Sequence, residues 1–395
     1  MKILISHPSS NLNNRNTVLA LEKNKMLFKF ITSVNFNTNN FYLKLLPKKI
    51  IEYLDKRNFS TITKNIITRN LIIEIFNLIK KNILKLSHVE DYYRIDKFTS
   101  NYLNKNNKKI DAVYCYEDAA LETFRVAKKY KIKTIYELPI SYWKEHYKIL
   151  KKENKRFGIS QNLNIKQSLI KKNQELNLAD IIIVPSNFVK KTLLKSKFKN
   201  KKIIIIPYGF NKMKINIKNK LLKKINLLFV GNLTPRKGII YLIKAFNKIH
   251  SINKNINLTI VGKGPLKFLI EQNPIKINLI NSLPHHKILN LMKKKDIFIF
   301  PSLFEGFGLV ISEAMSAGLL VMSTKNTALP EISDEKSSIF IKKNSYKDIV
   351  KKLSLLIKNK KKFNIMRKNS IRKSKNYDWQ QYQDNLILNL RRNLI

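Results

Sequence analysis

Residues Asp296–Gly318 read DIFIFPSLFEGFGLVISEAMSAG. The apolar run Ile297–Phe300, bounded by Asp296 and Pro301, has the length and bounding of a buried strand. A loop over Ser302–Phe307 follows. Leu309–Ala317 then reads as a helix, and Gly318 stands where a C-terminal glycine cap belongs. Two acids, Glu305 and Glu313, interrupt the apolar and small residues past the strand. A strand, a Gly-x-Gly turn and a helix N-terminus make a general anion site. The glycines let backbone come close, and free N–H groups and the helix dipole face the ligand.

Outward from this stretch, strands and helices alternate in both directions. Toward the N-terminus the strands are Lys276–Ile280, Asn257–Val261 and Leu227–Val230, separated by helices over Pro284–Met292, Leu266–Gln272 and Gly238–His250. Toward the C-terminus come strands Leu319–Ser323 and Ser338–Ile341, helices Tyr346–Lys358 and Phe363–Ser374, and an amphipathic helix over Tyr377–Leu394. Asn211–Asn226 is polar and Lys-rich and reads as a linker. Before it lies a second alternating series, with strands at Lys2–Ser6, Leu27–Val34, Ala112–Tyr116, Thr134–Glu137, Ile181–Val184 and Ile203–Ile206. Helices are expected at Ala119–Tyr130, through most of Ser141–Asn177, and at Asn187–Lys195. HPSSNLNNRN, after the first strand, reads as a polar loop. Phe41–Asn104 reads as helical, with Ile62, Ile66, Ile67, Leu71 and Ile75 at helical spacing among Lys and Arg. This is a core-facing helix or a basic helix lying on a membrane surface. Such alternation implies parallel sheets covered on both faces. The expected class is α/β, two Rossmann-like doubly wound domains facing a cleft.

At 395 residues the chain exceeds the usual single-domain size. A single Cys, Cys115, excludes an intramolecular disulfide and suits a reducing cytoplasm. The N-terminal apolar run is too short for a signal peptide, and no stretch of about 18 apolar residues predicts a membrane span. The net charge is +51, from 77 Lys and Arg against 26 Asp and Glu. Such a charge suits a polyanion partner. Yet the Lys are scattered rather than clustered and accompany much Asn and Ile, all encoded by A/T-rich codons. Compositional drift therefore accounts for the charge better than nucleic-acid binding does. It still leaves a positive surface that anionic lipid would attract.

Ligands of open parallel sheets bind beyond the carboxyl ends of strands. Four segments of the second series fall there: Gly231–Gly238, Gly262–Pro265, Ser282–Pro284 and Pro301–Gly308. In the first, a glycine turn followed by Arg236 and Lys237 at a helix start suits a diphosphate. Together these segments, G-x-L-x-x-x-K-G, V-G-x-G-P, D-x-x-x-x-P-S and E-G-F-G-L-x-x-x-E-A-x-x-x-G, resemble the family-four retaining glycosyltransferases of the GT-B fold. The likeness is clear from about Ile204 to Ala328. It implies an N-terminal acceptor-binding domain over residues 1–210 and a nucleotide-sugar-binding domain over 211–376. Residues 377–395, with Trp379 near their start, would pack back on the first domain.

The resemblance implies a hexosyltransferase-type enzyme acting with retention of configuration. Its donor would be a UDP- or GDP-sugar and its acceptor a saccharide or lipid-linked saccharide. No cofactor, metal or nucleic acid is implied. It would be cytoplasmic, at the inner face of the membrane in one reading, and would serve cell-envelope polysaccharide or glycolipid synthesis. Arg236 and Lys237 match the basic pair on the diphosphate, and Glu305 the acid facing the donor sugar. Glu313 matches the acid gripping the ribose hydroxyls, and Leu283 lies where the base packs. Gly231, Gly262, Gly306, Phe307, Gly308 and Leu309 complete the implied donor site. The family's usual glycine-rich loop after the first strand is absent. So is the histidine after the strand matching Thr134–Glu137. Glu137 and Asp118 are the acceptor-side candidates there, each equally readable as a cap or turn acid, and His7 follows the first strand. His285 and His286, being adjacent, cannot both face one metal site and read as an exposed helix start. The alternatives are a nucleotide-sugar epimerase on the same fold, a basic nucleic-acid-binding protein and a chain of this fold that has lost activity.

Overall fold

A computed structural model describes residues 1–33, 35, 57–59, 61–68, 89–159, 166–213, 215 and 224–394. The first sheet contains β1 (Ile3–Ser6), β2 (Leu27–Thr32), β3 (Ile66–Thr68), β4 (Ala112–Tyr116), β5 (Lys133–Glu137), β6 (Ile181–Val184) and β7 (Lys202–Ile205). Their spatial order is β3-β2-β1-β4-β5-β6-β7. The second contains β8 (Ile225–Val230), β9 (Ile256–Val261), β10 (Asn278–Ile280), β11 (Ile297–Phe300), β12 (Leu320–Thr324) and β13 (Ile339–Ile341), in the order β10-β9-β8-β11-β12-β13. Neighbouring strands pair in parallel throughout both sheets. Such sheets must be covered on both faces, which is why central strands are apolar without alternation. All of Ile181–Val184 and all of Ile297–Phe300 are buried.

In each sheet the strand order reverses between two central strands, β1 and β4 in the first and β8 and β11 in the second. The crevice outside that reversal is where an open α/β sheet offers a binding site. In the second sheet the segments entering it are Gly231–Gly238, after β8, and Pro301–Gly308, after β11. Gly318 follows the helix Leu309–Ser316 at φ +80, in the left-handed conformation of a helix-ending glycine.

The structure corrects two expectations. Part of HPSSNLNNRN opens a helix, Leu12–Lys23, capped by the Asn11 side chain on the Asn14 N–H. Its polar composition hid it, because Val18, Ala20 and Leu21 are its only fully buried aliphatic residues. Ile66–Thr68, read as helical, is instead the edge strand β3, paired with Phe30–Thr32. Ile66, four residues from Ile62, and Ile67 beside it fit a helical period, and so short an apolar run does not separate the two conformations. Of the rest of the basic helical pattern, 41–56 and 69–88 lie outside the described residues, as does most of the expected linker, and 89–104 fall in the helix Val89–Asn106.

The chain passes between the sheets twice, side by side. Phe210 pairs with Asp378 in an isolated bridge, and the Phe210 N–H donates to the Tyr377 carbonyl at 3.2 Å. Beyond this crossing, Trp379–Leu394 packs on Leu12–Lys23. Thr17 and Tyr382 share a hydroxyl–hydroxyl bond of 2.7 Å, and Gln383 donates to Asn16 at 2.8 Å.

Candidate active site

Arg236 and Lys237 lie in a short turn, Pro235–Lys237, that ends on Gly238 at φ +70. A Cβ on Gly238 would sit 2.1 Å from the Pro301 carbonyl oxygen, so only glycine lets this turn lie against the loop after β11. A backbone hydrogen bond holds the turn there: the Leu303 N–H donates to the Arg236 carbonyl at 2.8 Å, and Ser302 Oγ lies 3.1 Å from the same oxygen.

That seating brings three charges together. Glu305 receives Lys237 Nζ at 2.6 Å on Oε1 and Arg236 Nη1 at 2.8 Å on Oε2. Ser302 Oγ donates to Oε1 at 2.7 Å. The carboxylate is buried. Burial pushes its pKa up, but Lys237 and then Arg236 outweigh it and hold the group below the ordinary carboxylate value. Burial pulls the Lys237 ammonium below its usual value, and Glu305 only partly restores it. Two cations on one carboxylate leave one net positive charge, in a largely buried site at the end of a parallel strand. That suits an incoming dianion better than a neutral ligand.

Glu313 lies on the helix Leu309–Ser316, beyond Gly308 at φ +87. Burial raises its carboxyl above the ordinary value, and a 2.8 Å bond to His285 Nε2 acts in the opposite direction. The neighbours Ile311, Ala314 and Met315 are fully buried, as their sequence suggests. Sequence reading set His285 aside with His286. Only His285 enters the site, and it does so from the helix that follows β10. A place beyond a strand end was the signal that could have found it. His285, Leu309 and Glu313 line a crevice together with Leu12, Phe210 and Trp379, so the second domain meets both chain crossings and the first domain there.

Phe307 packs edge-on to Tyr208, with ring centroids 5.6 Å apart. Gly306 touches the first domain directly. Its carbonyl accepts the Ser186 hydroxyl at 2.6 Å, and a Cβ on it would lie 1.6 Å from the Pro139 carbonyl oxygen. Gly231 and Gly262 end adjacent strands, and the Gly231 N–H donates to Val261 at 3.0 Å. Leu283 is half-buried between β10 and the helix His285–Lys293.

The first-domain candidates are built differently. Glu137 is buried and already accepts three donors: Asn13 Nδ2 at 2.9 Å, Tyr208 OH at 2.7 Å and Tyr114 OH at 3.1 Å. Burial raises its carboxyl despite those bonds. It ties β4, β5, the helix Leu12–Lys23 and Tyr208 into one knot. Asp118 has φ +70 and pairs with Lys172 at 2.9 Å, while Glu117 takes the same ammonium at 2.7 Å. Burial works against that ammonium's charge, but Glu117 and Asp118 hold its pKa above the ordinary lysine value. His7 is buried against Tyr116 and held down to about 3 by desolvation. His146, which sequence reading passed over, stacks on Phe304 with centroids 5.6 Å apart and planes 8° apart. Burial lowers its pKa to about 4, so the ring is neutral at pH 7. Among the described residues no group of three His, Cys, Asp or Glu side chains is arranged to hold a metal ion. No helix there is long and apolar enough to cross a membrane.

Residues 211–373 match the family model for glycosyl transferases group 1. The second domain is a group 1 glycosyltransferase domain. Curated relatives agree with that assignment. A phosphatidylinositol N-acetylglucosaminyltransferase subunit of Saccharomyces cerevisiae is 29% identical over 170 residues, covering 40% of this chain and 36% of that one. An uncharacterised glycosyltransferase of Methanocaldococcus jannaschii is 29% identical over 209 residues, covering 51% and 56%. The chain thus spans between about a third and three fifths of the length of these relatives. Across the whole chain the fold is that of solved GT-B proteins. Anabaena HepE, crystallised with UDP and glucose, superposes with a TM-score of 0.66 at 15% identity over 99% of each chain. Sucrose-phosphate synthase of Thermosynechococcus elongatus gives 0.67 at 14%, covering 99% of this chain and 98% of that one. The residues that match the group 1 glycosyl transferases therefore form the second of the two sheets of a GT-B fold.

Proposed function

We propose that this protein is a retaining glycosyltransferase. It moves a sugar from a nucleotide-sugar donor, a UDP- or GDP-sugar, to a hydroxyl of a saccharide or lipid-linked acceptor at the inner face of the membrane. The observation that carries this reading is the Arg236–Glu305–Lys237 cluster on the carboxyl side of β8 and β11, within a group 1 glycosyltransferase domain. As the glycosidic bond breaks, negative charge grows on the departing diphosphate. Arg236 and Lys237, fixed by Glu305 and by the bonds of the Pro235–Lys237 turn, meet that charge without reorganising. They take the place a divalent metal would otherwise fill, and no metal or cofactor enters this proposal. Glu305 orients both cations and faces the donor sugar. Glu313, steadied by His285, accepts the ribose hydroxyls. Gly308 and Leu309 offer backbone N–H groups at the helix start, and Leu283 packs on the base.

Glu137, buried and held by Asn13, Tyr114 and Tyr208, organises the first-domain side of the cleft. Asp118 and Lys172 remain the polar groups available at the end of β4. Closure of the domains excludes water and sets the acceptor hydroxyl against the anomeric carbon. The test is a thermal-shift screen against nucleotides and nucleotide sugars, followed by product analysis with the donor that binds. A donor at 100 times its Kd stabilises by about 2.7 kcal/mol. No shift with any nucleotide sinks the proposal, and release of an isomerised free sugar, rather than a glycoside, selects the epimerase instead.

A further inference from the structure

A second cavity of about 670 Å³ opens on the other edge of the second sheet, away from the β8–β11 reversal. Its walls are the edge strand β13, the turn Thr324–Asn326 after β12, and the facing sides of the helices Tyr346–Lys358 and Lys360–Ser374. The lining divides by chemistry. Leu356 and Met366 are buried, Phe340 is half-buried, and Leu355 stays 61% exposed although it is a large aliphatic side chain. Around these apolar groups stand exposed Lys325, Lys342, Lys343 and Lys362, none with a carboxylate partner among the described residues. A fifth lysine, Lys352, is already paired with Asp348 at 3.1 Å. Glu335 is the one acid in the lining.

We propose that this cavity binds an amphipathic anion, a phosphate monoester carrying an aliphatic chain. The charge and the shape select it together. Four ammonium groups that make no ion pair among the described residues, against the one acid Glu335, attract an anion of any kind. The apolar wall adds affinity only for a ligand that brings its own apolar surface, at roughly 0.8 kcal/mol per buried methylene. The volume falls within the range of small-molecule sites, about 300–1,000 Å³. An added peptide strand fits poorly, because β13 offers only three residues of edge and is followed directly by Lys342 and Lys343. The site is also continuous with the cluster across the domain. Thr324 Oγ1 donates to the Ser302 carbonyl at 2.7 Å, Asn326 Nδ2 to the Leu303 carbonyl at 2.8 Å, and the Glu305 N–H to the Asn326 carbonyl at 2.8 Å. An occupant pressing on Thr324–Asn326 therefore presses on the turn that carries Glu305.

The experiment is calorimetric titration of the full chain, at fixed ionic strength and below micelle formation, with butyl, hexyl and octyl phosphate, inorganic phosphate and 1-octanol. The expected result is one site per chain, with affinity rising along the alkyl series and octyl phosphate binding at least tenfold more tightly than inorganic phosphate or octanol. The double variant Lys343→Glu/Lys362→Glu, its fold checked by circular dichroism, loses at least tenfold. Arg236→Ala/Lys237→Ala retains the wild-type affinity, which separates this site from the proposed donor site. Equal binding of octyl and inorganic phosphate overturns the proposal. So does unchanged affinity in the Lys343/Lys362 variant, or loss of binding only in the Arg236/Lys237 variant.

Discussion

Gly306 brings the backbone of the Glu305 loop directly against the first domain, beside the ring contacts of Phe304 with His146 and of Phe307 with Tyr208, and its replacement by alanine tests that backbone contact. An alanine Cβ there would lie 1.6 Å from the Pro139 carbonyl oxygen, whereas real Cβ atoms essentially never approach within 3.0 Å. The gap between those distances is 1.4 Å, so loop and first domain must separate by at least that much. The obstacle is backbone oxygen, which cannot swing aside as a side chain could. Overpacking of this kind costs about 1–3 kcal/mol. Losing the Ser186 hydroxyl bond to the Gly306 carbonyl adds about 1 kcal/mol. Both costs fall on the closed arrangement of the two domains and not on either domain's own core. Gly306→Ala should therefore retain its folded circular dichroism while the domains part, with a larger radius of gyration in small-angle scattering. Transfer should fall by about 100-fold in kcat/KM, the scale of a displacement near 1 Å at a reacting centre. Gly158→Ala is the control. It also has a positive φ, +62, but nothing within 4 Å of the added Cβ, so it should cost only the backbone strain of about 1–2 kcal/mol and leave transfer intact. Wild-type scattering and wild-type transfer in Gly306→Ala would refute the reasoning.

Glu305→Gln removes the counter-charge of buried Lys237 and of Arg236. It should destabilise the second domain by about 3 kcal/mol, read as a lower midpoint in urea. Arg236→Ala/Lys237→Ala should lower kcat about 100-fold, with the loss in chemistry rather than in acceptor binding. Glu175, buried beneath Tyr136 and the Asp118 and Ala120 N–H groups, has its pKa raised by desolvation to about 8 from the ordinary 4.5. The folded state therefore holds a proton that the unfolded chain releases. Stability should fall as pH rises from near 4.5 to about 8, by a few kcal/mol, and Glu175→Gln should flatten that slope in urea titrations.

The second domain was the more legible half, for a physical reason. Its strands end in glycine turns, and its charged residues stand at those ends beside short apolar runs, so the pattern placed the segments carrying Arg236, Lys237 and Glu305 at strand ends and the family resemblance joined them into one site. The contacts Lys237–Glu305 and Arg236–Glu305 span 68 and 69 residues, but each partner directly follows a strand that the apolar pattern marks. The first domain gave no such help. Glu137 is held by Asn13, Tyr114 and Tyr208, residues 124, 23 and 71 positions away. Nothing in its local sequence distinguishes a carboxylate with three donors from one facing a cleft. Asp96 is similar, capping the Glu122 and Thr123 N–H groups from another helix at 2.9 Å each. His146 was hidden because its partner, Phe304, belongs to the other domain.

The paired crossing at Phe210 and Asp378 has a consequence for engineering. Each domain is entered and left at the same point, and the last helix, Trp379–Leu394, belongs in space to the half that begins the chain. A domain exchange cut once, between the sheets, would leave that helix facing a foreign surface, without Thr17 and Asn16 to receive Tyr382 and Gln383. A workable chimera needs two joints, one near Phe210 and one near Asp378. The second domain is then an insert carried within the first, exchangeable as a cassette provided the incoming loop brings a glycine to lie beneath Pro139.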